Sequence, residues 1–131
     1  MQSSLEQALV KTQETAGEVA DAPDQAAALF QKTLAYYKVF THISLVDRNG
    51  KELIRVDNTG VVAKEKMEDQ SKNAALYLAL QGAPAFTELL ISPNAEPHTS
   101  IVVPVPSKNN SPLIERVLVA EINLRNLLSI I

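Results

Sequence analysis

THISLVDRNGKELIRVD, residues Thr41 to Asp57, sets two apolar runs on either side of Asn49-Gly50. Asn and Gly both tolerate the positive φ that a type I′ turn requires at its two central residues, so the stretch predicts a β-hairpin with locally fixed register. Ile43, Leu45, Ile54 and Val56 supply the aliphatic, largely β-branched content of a partly buried strand pair. The expected place of this hairpin is the middle of a five-stranded sheet, with the fifth strand beside the first.

On its N-terminal side, Ala26, Leu29, Phe30, Leu34, Tyr37 and Phe40 recur at spacings of three and four and predict a core helix. Further back, Ser3 and Glu6 stand at capping-box spacing, and Leu5, Leu9, Ala16, Val19 and Ala20 make a thin apolar stripe. A helix with so narrow a stripe is marginal alone in water and is expected to need a partner. Pro23 suits either the first turn of a second helix or a kink in one long helix, and residues 1–40 are read as a helical segment of either form.

On the C-terminal side, Val61 to Glu68 lacks a clear period and reads as a loop with a short helical turn. Asp69 or Ser71 is placed to cap a helix through Ala74, Leu76, Leu78 and Leu80, stopped by Gly82 and Pro84. Phe86 to Ile91, Thr99 to Val105 and Leu113 to Ile122 read as three further strands, with Pro104 marking an end or edge of the second of these. Residues 106–112 are a loop, and Asn123 caps an outgoing helix that is still apolar at Ile131 and is expected to run on. The order predicts an α+β, PAS-like architecture: a helical entrance, five antiparallel strands, a crossover helix between the second and third, and an exit helix. Residues 41–123 form the core, 124–131 begin the exit helix, and a small cavity is expected beneath the crossover.

With 131 residues and 46% hydrophobic content, the chain is sized for a single domain with one modest core. A net charge of -3 and a pI near 5.3 disfavour a nucleic-acid partner, because Lys64, Lys66 and Lys72 alternate with Glu65, Glu68 and Asp69 instead of forming a basic stripe. The absence of cysteine excludes disulfides, thiolate metal sites and covalent haem attachment. No leader pattern opens the sequence, and no stretch approaches the roughly 20 apolar residues of a membrane span, so any membrane anchor is expected outside this chain. Two histidines far apart in sequence give no metal signal, and no glycine pattern cradles a phosphate.

From Phe40 onward the chain resembles the Cache, or PDC, family of extracytoplasmic PAS-like sensors in bacterial histidine kinases, chemoreceptors and diguanylate cyclases. The hairpin looks like that family's D-x-x-G-x-E-x-x-R pattern, here Asp47, Gly50, Glu52 and Arg55. KMEDQSKN resembles the opening of its crossover helix, FTELLISP its third strand, IVVPVP its fourth, and VLVAEINLRNLL its fifth strand and exit helix. The likeness covers about two thirds of the chain. Many members that bind amino acids carry an Arg-x-Tyr signature where this chain has Asn73 and Ala75, so that ligand class does not carry over.

The resemblance implies a non-enzymatic, ligand-sensing domain, periplasmic or extracellular, belonging to an inner-membrane receptor. It also implies an unidentified small-molecule ligand, no cofactor, and a homodimer through the N-terminal helix. Four residues are candidates for the ligand site. Arg55 offers a fork of donors for a carboxylate, or alternatively an ion pair with Asp57, Glu52 or a helix terminus. His98, beside Thr99 and Ser100, suits a small anion or a pH response, or is a loop histidine in solvent. Tyr77 either points its hydroxyl into the cavity or packs as a helical aromatic. Asp69, Ser71 and His98 are hydrolase residue types, but no nucleophile elbow accompanies them and no catalytic residue is assigned. The rival reading is a cytosolic PAS-like or profilin-like interaction module, which requires a flat, exposed, apolar sheet face.

Overall fold

The computed structural model describes residues 4–87, 90–91, 97–107 and 112–125. Helix α1 spans Ser4–Asp21 and α2 spans Ala26–Tyr36, separated by a 3-10 turn over Pro23–Gln25. Pro23 therefore divides the segment into two helices. It has no N–H to continue the ladder, and its fixed φ starts the tight turn that redirects the chain. Both helices lie on one face of the sheet, where Val19, Ala20, Phe30 and Leu34 pack with Ile43, Leu45, Ile101 and Leu118. The thin stripe of α1 is thus covered by the chain's own sheet and α2. Thr12 and Thr15 widen it, because their hydroxyls donate to the carbonyls of Ala8 and Lys11 and leave the methyl groups free to pack.

The strands are β1 (Phe40–Asp47), β2 (Glu52–Asp57), β3 (Gly60–Val61), β4 (Ala85–Phe86), β5 (Leu90–Ile91), β6 (Pro97–Pro104) and β7 (Arg116–Asn123). They form a seven-stranded antiparallel sheet in the order β3-β2-β1-β7-β6-β4, with β5 also paired to β6. The expected five strands thus become seven. The single third strand is two short pieces, both pairing with β6, and β3 returns along β2 because the Asp57 carboxylate accepts the backbone N–H and the hydroxyl of Thr59 and closes a tight turn. The fifth strand of the sequence reading, β7, does lie beside β1.

The hairpin turn is one residue longer than a two-residue loop on Asn49-Gly50. Gly50 N–H donates to Asp47 O at 3.1 Å, Asp47 N–H donates to Lys51 O at 2.9 Å, and Gly50 has φ +88°. The cause is Asp47, whose carboxylate accepts from Asn49 N–H and Lys51 N–H at 2.9 and 3.0 Å and fixes a turn that begins at position 47. The pairing then slips: Leu45 faces Ile54 but Val46 faces Glu52, leaving Leu53 as a bulge. Simple alternation would put Leu53 on the face of Arg55; the bulge puts Glu52 there instead.

After β3 the chain crosses the other face of the sheet through a 3-10 turn at Lys64–Lys66 and helix α3 (Ala74–Leu80). The α3 cap is Asn73 in place of Asp69 or Ser71. Its Oδ1 accepts from Ala75 N–H at 3.0 Å, while Asp69 instead closes a turn on Ser71 N–H. Ala75, Leu76 and Ala79 pack on Val46, Val102, Val117 and Val119 to form a second, smaller core. Gly82, at φ +99°, ends the helix. Asn73→Ala should cost about 1 kcal/mol by removing this cap, a fall of roughly 4 °C in Tm; a thermal melt with an unchanged midpoint would contradict the assignment.

Asn123 Oδ1 accepts from Arg125 N–H at 2.9 Å, as a cap on the exit helix should. The Ser3 capping box, the strand end at Ser92-Pro93, the middle of the 106–112 loop and the exit helix beyond Arg125 lie outside the described residues.

Candidate functional site

Helix α3 has only seven residues, so it covers the valine-lined half of its sheet face and leaves the other half under the segment that precedes it. There a cleft of about 750 Å³ opens between sheet and crossover. His42, Glu121 and Ser100 form its floor on β1, β7 and β6, because His42 and Ser100 each pair directly with Glu121 across the strands. His98, two residues before Ser100, shares that face. Glu68, Lys72 and Asn73 line the crossover side, and Leu78 of α3 supplies an apolar wall; Phe86 of β4 borders the cleft at the sheet edge and pairs with Ile101, which packs on the opposite face.

Glu121 is the polar centre of the floor. Its Oε1 accepts from the Thr41 hydroxyl at 2.9 Å, and its Oε2 lies 3.8 Å from Nδ1 of both His42 and His98. Thr41 reaches it because β1 slips register between Phe40 and His42.

Behind the cleft sits a second, fully enclosed carboxylate. The Glu52 side chain has no exposed surface and receives Ser44 Oγ at 2.9 Å, Arg55 Nη1 at 2.9 Å, Glu68 N–H at 2.7 Å and Gln70 Nε2 at 3.1 Å. Burial pushes its pKa upward, but the Glu68 and Gln70 hydrogen bonds, the Arg55 charge and the Ser44 hydroxyl outweigh burial and hold it below the usual 4.5. Arg55 Nη2 also lies 3.4 Å from His42 Nδ1. A guanidinium only donates, so Nδ1 accepts and the imidazole proton sits on Nε2. Burial, then the Arg55 charge, lower the His42 pKa below 6.5 against the opposing pull of Glu121, Glu52 and Glu68, leaving a neutral ring at pH 7.

Of the four candidates from the sequence, His98 and Ser100 line the cleft together. Arg55 stands one layer behind it, in an ion pair with Glu52. Tyr77 is on the outer side of α3, half exposed, with its hydroxyl donating to Ser71 O at 2.6 Å instead of pointing into the cavity. Sequence reasoning missed His42 and Glu121, and named Glu52 only as part of the hairpin pattern and as one possible ion-pair partner of Arg55. The signal for Glu121 was present as one acidic residue breaking the apolar run from Val117 to Ile122, whereas Glu52 reaches its face only through a bulge. Among the described residues no three His, Asp or Glu side chains are arranged to hold a metal ion.

The fold superposes on extracellular and ligand-binding domains of a histidine kinase and of chemoreceptors, in keeping with the Cache resemblance. The ligand-binding domain of the Pseudomonas aeruginosa PAO1 amino-acid chemoreceptor PctC, solved with GABA, superposes with a TM-score of 0.68 at 17% identity, over 97% of this chain and 56% of that one. The sensory domain of the Campylobacter jejuni chemoreceptor Tlp3, with isoleucine bound, gives 0.69 at 12% identity, over 93% and 53%. The domain of Pseudomonas fluorescens chemoreceptor CtaA, with L-alanine, gives 0.66 at 17%, over 95% and 54%. At these identities the likeness is one of fold, and the chain spans little more than half the length of each. No protein-family model and no curated sequence matches it. Among the described residues no helix is long and apolar enough to cross a membrane.

Proposed function

We propose that this chain is an extracytoplasmic ligand-sensing unit of a bacterial membrane receptor, with the cleft between α3 and the sheet as its ligand site. The observation that carries the reading is the placement of Glu121. It lies on the cleft floor, two residues before Asn123, which caps the outgoing helix and whose N–H is bonded to Val39 O at 3.0 Å just after α2. A ligand that engages Glu121 therefore acts within about 7 Å of chain from the helix cap, at roughly 3.4 Å per strand residue. Signalling is a population shift, limited by the ligand's differential affinity for the two helix arrangements; nearly complete switching takes about a 10⁴-fold preference.

In this reading the membrane spans lie outside residues 1–131, the domain faces the periplasm, and the output belongs to a separate kinase, cyclase or chemoreceptor module. Two copies associate along α1, whose first turn carries Leu5, 37% exposed. Sedimentation velocity checks this last point, and a monomer at high micromolar concentration removes it. The rival interaction-module reading needs a flat exposed sheet face, whereas here α1 and α2 cover one face and α3 with the cleft occupies the other.

A thermal-shift screen of small metabolites tests the ligand site. A compound at 100 times its Kd should stabilise the domain by about 2.7 kcal/mol, a rise of roughly 10 °C in Tm. Leu78→Trp, which fills the cleft, should abolish that rise. A screen in which no compound stabilises the domain, or one in which stabilisation persists in Leu78→Trp, would leave the sensor reading without support.

A further inference from the structure

We propose, on the basis of the cleft being a ligand site, that it takes a protonated amine lacking a carboxylate, with the ammonium on Glu121 Oε2 and the apolar body against Leu78. Oε1 of Glu121 is used by Thr41, but Oε2 takes no hydrogen bond from the described residues; its nearest ionisable neighbours, the two imidazoles, stand at 3.8 Å. The side chain is 27% exposed, so this oxygen is partly desolvated and calls for a charged donor.

The remaining charge around the cleft points the same way. Arg55 is held by Glu52 at 2.9 Å, with Glu68 at 3.7 Å, so its positive charge is already matched behind the floor. The lining itself carries two carboxylates, Glu68 and Glu121, against the single ammonium of Lys72, and Lys72 is exposed at the rim. A ligand carboxylate finds no fork of donors. The Asn73 amide caps α3 through its oxygen and donates to Gln70 Oε1, while the Gln70 amide donates to Glu52. Leu78, 52% exposed, gives the wall that an alkyl or aryl body would cover. Beside Oε2, Ser100 Oγ is available as a second acceptor for the ammonium.

Calorimetric titration of the 131-residue chain with three probes of one length, n-pentylamine, pentanoate and 5-aminopentanoate, tests the proposal at pH 7.5. Pentylamine should bind at least about tenfold more tightly than 5-aminopentanoate, with pentanoate silent, and Glu121→Gln should weaken pentylamine by about 10- to 100-fold. Tighter binding of either carboxylate probe, undiminished binding by Glu121→Gln, or no pentylamine binding at millimolar concentration each overturns the amine assignment. A carboxylate probe that binds and is excluded by Leu78→Trp would do so while leaving the sensor reading intact. The metabolite screen decides the sensor reading separately.

Discussion

Glu52→Ala is expected to lower the unfolding free energy by about 3–5 kcal/mol, the usual cost of removing one partner of a buried ion pair, and Tm by roughly 10–20 °C. The substitution leaves the Arg55 guanidinium, only 13% exposed, without its closest counter-charge. It also strips the acceptor from Glu68 N–H and Gln70 Nε2, two of the groups through which the crossover is tied to the hairpin. Glu52→Gln keeps the shape and should cost less, while changing the acid response. The folded-state pKa of Glu52 is depressed, so its contribution is fully present above about 4.5 and is lost as pH falls through the folded value. Urea unfolding followed by circular dichroism at pH 7 and pH 3 should therefore show a shallower loss in Glu52→Gln than in the parent chain. Equal losses would mean that the carboxylate is not held as described.

Gly50→Val should be nearly as damaging, at about 2–4 kcal/mol. Two costs combine. Gly50 has φ +88°, a conformation that L residues adopt at about 1–2 kcal/mol. A Cβ there would also fall inside the backbone of Gln70 and Ser71, and Gly50 O accepts Gln70 N–H at 2.7 Å. Gly60→Val is the control, since Gly60 has φ +126° with open space where a Cβ would be placed, so it should suffer only the conformational cost. If the two valine variants melt together, the close approach of turn and crossover contributes nothing.

Much of the fold was legible because its determinants are local. The spacing of Phe30 and Leu34, the Asn-Gly pair and the apolar run of Val117 to Ala120 each specify their element without help from distant residues. What escaped depends on competition or on parity. Asp47 moved the turn by supplying two hydrogen bonds that a type I′ turn does not need. A one-residue bulge at Leu53 turned Glu52 from the helix-covered face to the cleft face, and no pattern of apolar residues announces such a slip. The proposed site was half legible: that His98 and Ser100 share a face follows from strand alternation, while the central placement of Glu121 emerges only once β1 and β6 flank β7.

The enclosed carboxylate also bears on how such a domain changes over generations. The crossover is fastened from behind, through Glu52 to the backbone of Glu68 and the amide of Gln70, and none of these bonds involves Leu78, Phe86, Lys72 or Ser100. Side chains that meet a ligand can therefore be exchanged one at a time without loosening the segment that carries them. In the proposed sensor, substitutions at Leu78, Lys72 or Ser100 would change the cleft without touching the Glu52 fastening, whereas Gln70 and Asn73 line the cleft and hold structure as well.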